Sequence, residues 1–221
     1  MNKYILVFLI VFGSFSIVGA QEAPEHRVGR FYLGADAGWG YRLGKIEADN
    51  IYQKDYMKGL RSGLSIGADA SFYIKPALGF GLKYSFFYAA NSFGEIWDKT
   101  WSNFIAPVYC GRTKSLGAQR NFQLGYSAGI GYLHYRDKGQ GLLGGNTVQG
   151  IITAETFGMY GDFGAEIRLA PKLYLTGKVY LLASNYYSYT LKTNFGSEKT
   201  KLDKPENVSR FGITAGLKIN L

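Results

Sequence analysis

The chain has 221 residues, and its 25 lysines and arginines against 16 aspartates and glutamates give a formal charge of +9. One cysteine excludes an intrachain disulfide framework, and with only two histidines there is no cysteine–histidine cluster for a metal. Thirty glycines, 18 tyrosines and 15 phenylalanines favour strands with close backbone approaches over helices.

Residues 1–20, "MNKYILVFLIVFGSFSIVGA", carry Lys3, an apolar run from Tyr4 to Val18, and small residues at Val18 and Ala20. This is the layout of a signal peptide cleaved between Ala20 and Gln21, too short a run for an anchor helix. No cysteine follows the cleavage position, which argues against a lipid-modified N-terminus. Residues 21–28 are a short lead, and 29–221 form one domain. For an exported chain with dispersed basic residues, acidic lipid headgroups are a better match than nucleic acid.

From residue 31 onward, apolar and polar residues alternate with the period of a strand in eight segments. The first places Phe31, Leu33, Ala35, Ala37, Trp39 and Tyr41 on one face. The second places Leu64, Ile66, Ala68, Ala70, Phe72 and Ile74 there, and the third Leu78, Phe80, Leu82, Tyr84, Phe86 and Tyr88. The fourth, "NFIAPVYCG", alternates least clearly. Phe104, Ala106, Val108 and Cys110 are assigned to the apolar face, and Pro107 predicts a bulge or irregular pairing. The fifth and sixth present Phe122 to Tyr132 and Phe157 to Leu169. The seventh presents Leu173, Leu175, Val179 and Leu181, and the eighth, "FGITAGLKINL", presents Phe211 to Leu221.

Short connectors at 75–77, 112–119 and 170–172 alternate with longer polar stretches at 43–60, 93–101, 136–154 and 190–207. That rhythm belongs to an up-and-down barrel with two unlike ends. The expected fold is all-β: an eight-stranded antiparallel transmembrane β-barrel with short periplasmic turns and four longer extracellular loops. A soluble barrel would reverse the faces. Here the glycine-rich face carries Asp36, Asp69, Lys83, Asp162, Glu166, Arg168, Lys178 and Lys218, four acids and four bases suited to a paired interior. The apolar face carries no charge across the centre of any strand, as contact with lipid demands. Trp39, Tyr41, Phe86, Tyr88, Phe104, Tyr132, Phe157 and Phe211 are expected at the outer rim. Phe31, Phe72, Phe80 and Phe122 are expected at the inner one.

With these features the chain resembles the small eight-stranded outer-membrane β-barrel superfamily that includes the OmpA transmembrane domain and OmpX-type proteins, particularly the barrel domains of Bacteroidetes-type bacteria. The resemblance covers 29–221. It implies a location in the outer membrane and contact with its lipids and lipopolysaccharide. It also implies that Gly216, Ile219 and Leu221 are read by the barrel-assembly machinery, although Leu221 stands where phenylalanine is usual and Ala215 where a polar residue is typical. The segment ends without a peptidoglycan-binding domain after it.

Chemistry has little support. "LLASNYY" resembles the His-x-Ser-Asn motif of lipid A deacylases at Ser184 and Asn185, but Leu182 replaces the histidine. His134 falls on a strand not adjacent to Ser184, and His26 precedes the barrel. "GQGLLGG" at 139–145 lacks the lysine and setting of a phosphate loop. Eight strands leave an interior that side chains nearly fill, so a small gated pore is a weaker alternative, as is a lipid A-modifying enzyme. The reading is a non-enzymatic outer-membrane protein that needs no cofactor. It acts in envelope integrity or surface contact, with an unidentified ligand at its loops. Lys192, Lys199, Lys201 and Lys204 are candidates for lipopolysaccharide phosphates. Lys75, Arg112, Lys114, Arg120 and Lys172 are expected near inner-leaflet headgroups, and Cys110 is read as a small lipid-facing hydrophobe.

Overall fold

The computed structural model describes residues 31–44, 56, 58–94, 96–113, 121–143 and 146–221. The expected signal peptide, its cleavage at Ala20 and Gln21, and the lead 21–28 lie outside the described residues, as do Lys114 and Arg120.

The described residues form nine strands: β1 (Phe31–Arg42), β2 (Ser62–Lys75), β3 (Leu78–Phe93), β4 (Ile96–Arg112), β5 (Phe122–Leu143), β6 (Asn146–Ala170), β7 (Leu173–Thr193), β8 (Gly196–Asn207) and β9 (Arg210–Asn220). Sequential neighbours from β1 to β7 pair antiparallel. β7 then pairs with β9, and β9 returns to β1, so eight strands complete a circuit of hydrogen bonds. A circuit of this kind leaves no open edge at the level of the barrel. The seam between β1 and β9 runs from Tyr32 opposite Asn220 to Arg42 opposite Arg210. The strands approach closely there. A Cβ at Gly216 would run into the carbonyl oxygen of Ala35, so only glycine fits without a shift.

Alternation sets the two sides of the wall, and β4 corrects the expectation for the fourth segment. Phe104, Ala106, Val108 and Cys110 point inward and are buried, while Ile105, Pro107 and Tyr109 point outward. The interior side is dictated by neighbours. Ala106 stands opposite Lys83, where a small residue leaves room for the lysine, and Phe104 stacks on Tyr160 with ring centroids 5.8 Å apart. Phe104 is therefore no rim aromatic, and Cys110 faces the interior. Pro107 brings the expected irregular pairing but no bulge: the pairing of β4 with β5 skips Ala106 and Pro107 and resumes in the same register at Val108.

The longer connectors are also more ordered than the loops expected. Residues 93–101, 136–154 and 190–207 are almost wholly strand. Pairing runs to Phe93 opposite Ile96, Leu143 opposite Asn146, and Thr193 opposite Gly196. Gly94 turns the first hairpin at φ 61°, a left-handed conformation that favours glycine. β8 lies beyond the circuit, where among the described residues it pairs with β7 alone. Among the described residues the pairing of β3 to β8 runs past the ends of β1, β2 and β9, so the described wall is taller on that side.

Candidate functional site

The interior is layered. At mid-height Lys83 Nζ lies 3.2 Å from Asp36 Oδ2, 3.6 Å from Asp69 Oδ1 and 3.9 Å from Asp162 Oδ2. Lys178 Nζ reaches the same Asp36 oxygen at 3.2 Å and Asp69 Oδ1 at 2.7 Å. Tyr160 donates to Asp162 at 2.9 Å. Toward the short-turn end, Lys218 pairs with Glu166 at 2.8 Å, and Gln123 donates to the other Glu166 oxygen at 2.6 Å. Seven of the eight charges expected inside are therefore in contact. The exception is Arg168, which has the inward parity but sits at the turn mouth, exposed, with Nη2 3.5 Å from Asn121 Oδ1. Arg112 fills the place near Lys218 instead. It is buried, its guanidinium 4.1 Å from the Tyr73 ring centre and 4.9 Å from that of Tyr32. The expectation that Arg112 meets headgroups is thus corrected, while Lys75 and Lys172 are exposed at the turns. With Arg112 in place of Arg168, this part of the bore still sets four bases against four acids.

Above this layer aromatic rings stack inside the bore. Phe104, Tyr160 and Tyr180 stack in sequence, and Tyr180 shares a hydrogen bond of 2.8 Å with Ser65. Arg210, 1 % exposed, donates to Ser102 and to the carbonyl and hydroxyl of Ser85. A cavity of about 30 Å³ beside Cys110, Ser71 and Glu166 leaves room for a water molecule or two.

Near the tall side of the mouth a polar cup takes over. Arg42 donates to Tyr135 at 3.0 Å and to Glu206 at 2.6 Å, and Tyr186 donates to Glu206 at 2.6 Å. Tyr135 donates to Asp137 at 3.2 Å, and Tyr56 donates to Asp98 at 2.8 Å. Burial, and then the charge of Asp98, push the Asp137 carboxyl up to about 6. Burial also raises Asp98. Sequence reasoning missed Arg42 and Glu206 as partners, because 164 positions separate them and no apolar alternation marks β8 as a strand.

Outside, Leu33, Leu64, Leu82, Ile130, Ile213 and Leu217 form an exposed apolar belt with no charge within it. Aromatics edge it: Trp39 and Phe211 meet edge to face at 5.6 Å, and Tyr132 and Phe157 at 6.4 Å. A wall that is apolar outside and ion-paired inside is built for lipid. Comparison with solved structures agrees. The fold is that of the small outer-membrane β-barrels. A major outer membrane protein of Thermus thermophilus aligns over 86 % of this chain and 99 % of its own, at 11 % identity and a TM-score of 0.56. The outer membrane protease OmpT of Escherichia coli aligns over 91 % and 100 %, at 10 % identity and a TM-score of 0.52. Neisserial surface protein A aligns over 86 % and 97 %, at 16 % identity and a TM-score of 0.49. No protein-family model matches the sequence, and no curated protein matches it. Because the barrel fold hosts a protease as well as other proteins, activity has to be judged from side chains.

In this barrel Ser184 and His134 lie on opposite faces of the wall. Ser184 is buried, and its hydroxyl donates to the Phe157 carbonyl at 3.0 Å. His134 faces outward, with Nδ1 3.9 Å from Glu155. No base among the described residues is aimed at the serine. At the other end of β9, Gly216 faces inward across the seam, and Ile219 and Leu221 are exposed on the outer face. Lys192, Lys199, Lys201 and Lys204 are exposed on the outermost hairpin.

Proposed function

We propose that this chain is a non-enzymatic integral protein of the outer membrane, exported by its N-terminal signal, whose raised sheet serves envelope integrity or surface contact. The observation that carries this reading is the contrast between a bore filled by ion pairs and stacked tyrosines and the sheet projecting beyond the aromatic rim. A filled bore favours a scaffold over a channel. With the Ser184 hydroxyl turned to a backbone carbonyl and no base aimed at it among the described residues, contact is favoured over catalysis. The apolar belt calls for outer-membrane lipid, and the lysines of β7 and β8 suit lipopolysaccharide phosphates. Gly216, Ile219 and Leu221 would be read by the barrel-assembly machinery during insertion.

The test is membrane fractionation together with heat-modifiable migration of the expressed chain in detergent. The expected result is an outer-membrane protein whose mobility changes on boiling. A soluble monomer would overturn the reading. Lipid A mass spectra from cells with and without the chain are expected to be the same; a changed acyl pattern would return the enzyme to first place.

A further inference from the structure

The outward face of β4 and β5 carries a charge arrangement that nothing within the described chain neutralises. Lys99 and Lys138 stand directly opposite each other in the ladder. Side chains in that relation point the same way, and like charges there are destabilising. Both ammonium groups lean on one ring: Lys99 Nζ is 5.3 Å and Lys138 Nζ 5.5 Å from the centre of Trp97. Two rungs inward, on the same face, Arg136 stands opposite Trp101, its guanidinium 5.2 Å from that ring, and its Nε is buried without a hydrogen-bond partner. The acids of this stretch, Asp98 and Asp137, point to the interior cup. The carboxylate on this outer face, Glu155, stands opposite His134 and forms no ion pair with the three bases among the described residues.

We propose that Lys99, Arg136 and Lys138, with Trp97 and Trp101, form a binding site for the phosphate groups of an outer-leaflet glycolipid headgroup. The proposal deepens the outer-membrane reading and rests on it. Three observations favour a lipid over a soluble anion. The site continues the face that below Tyr132 contacts hydrocarbon. Arg136 is four residues past Tyr132, which in a tilted strand is about 10 Å beyond the rim, at headgroup depth. Tryptophan rings beside cations are the side chains that settle at that depth. A phosphate between Lys99 and Lys138 would turn the opposed pair from a cost into a bidentate clamp, with the Arg136 guanidinium supplying charge-assisted hydrogen bonds.

The test uses the full chain folded into phosphatidylcholine vesicles with and without diphosphoryl lipid A. After gentle extraction, native mass spectrometry counts the lipid A retained per barrel. The double variant K99Q/K138Q is expected to reduce retention about tenfold or more, as for the loss of a charge-assisted hydrogen bond. R168Q, which removes an exposed charge at the opposite mouth, is expected to retain as much as the unaltered chain. Thermal unfolding provides a second reading with a change of sign. In phosphatidylcholine alone K99Q/K138Q should melt higher than the parent, because repulsion is gone, and with lipid A present it should melt lower. A role in folding alone would move both the same way. Equal retention by K99Q/K138Q and the parent would overturn the proposal. So would stabilisation by inorganic phosphate matching that by lipid A, which would make the occupant a soluble anion. A barrel that fractionates to the outer membrane yet fails here removes the site and leaves the function; a soluble chain removes both.

Discussion

Two pairs of lysines divide this molecule. Lys83 and Lys178 meet inside the barrel and share Asp36, with Asp69 and Asp162 at hand. Lys99 and Lys138 meet outside it and, among the described residues, share the face of Trp97 without a carboxylate. The inner pair has its counter-charge within the chain because burial leaves no alternative: an ion taken out of water must be paired. The outer pair is open to its surroundings, so its counter-charge can come from outside the chain. Charges inside this barrel find their partners within the chain, whereas Lys99 and Lys138 find no carboxylate among the described residues.

That contrast can be broken most forcefully from the inside. Lys83→Met leaves three carboxylates around one remaining lysine and should cost about 3–5 kcal/mol of stability, read from urea unfolding in lipid vesicles. If the loss is below that of an ordinary surface change, the inner pairing is not what holds the bore. Phe104→Ala opens a void beside Tyr160, with a cost in the range of about 3–5 kcal/mol for a buried aromatic. Ile105→Ala, on the lipid side, should cost clearly less, and reversed values would return β4 to the opposite facing. Gly216→Ala crowds the seam against Ala35 and should cost about 1–3 kcal/mol by overpacking. Normal stability with poor membrane insertion would instead point to recognition of that glycine during assembly.

The cup at the mouth gives a smaller effect with a definite sign. Asp137 is raised to about 6 in the folded barrel, from 3.8 as an ordinary carboxyl. Between those values the folded protein holds a proton that the unfolded chain has released. Stability should therefore fall as pH rises through that window, by at most about 1.4 kcal/mol per pH unit. Melting midpoints across the window should show this slope, and Asp137→Asn should flatten it. The smallest effect belongs to the outer pair. Lys138→Gln in phosphatidylcholine should gain roughly 0.2–1 kcal/mol by relieving a cross-strand repulsion.

How much of this can be read from the residues depends on whether each strand has one face unlike the other. β1, β2, β3, β5, β6, β7 and β9 each set glycine, hydroxyl or charge against an apolar row, and their facing follows directly. β4 offers Phe104, Ala106 and Val108 on one side and Ile105, Pro107 and Tyr109 on the other. With both rows apolar, only Lys83 and Tyr160 decide, and they belong to distant parts of the chain. The raised sheet reads as loops in the sequence because its inner face is largely polar, with Asp98, Thr100, Asp137 and Glu206 lining a cup instead of an apolar row. Residues 196–207 alternate little but charge and small polar groups, and their strand form comes from pairing with β7. The opposed lysines are hidden for a similar reason. Lys99 and Lys138 lie far apart along the chain, and only the register brings them level.

The seam between β1 and β9 has a further consequence. Phe31 and Leu221 lie side by side, the amide of Leu221 donating to the Phe31 carbonyl at 3.0 Å, and the two strands run antiparallel from that point. A mechanical load drawing these residues apart would meet the ladder end-on and break it one rung at a time, as a zip opens. The same rungs loaded along the strands would have to fail together. The barrel is therefore soft toward a pull at that corner and stiff toward shear along its wall, a directional weakness written into the place where the circuit joins.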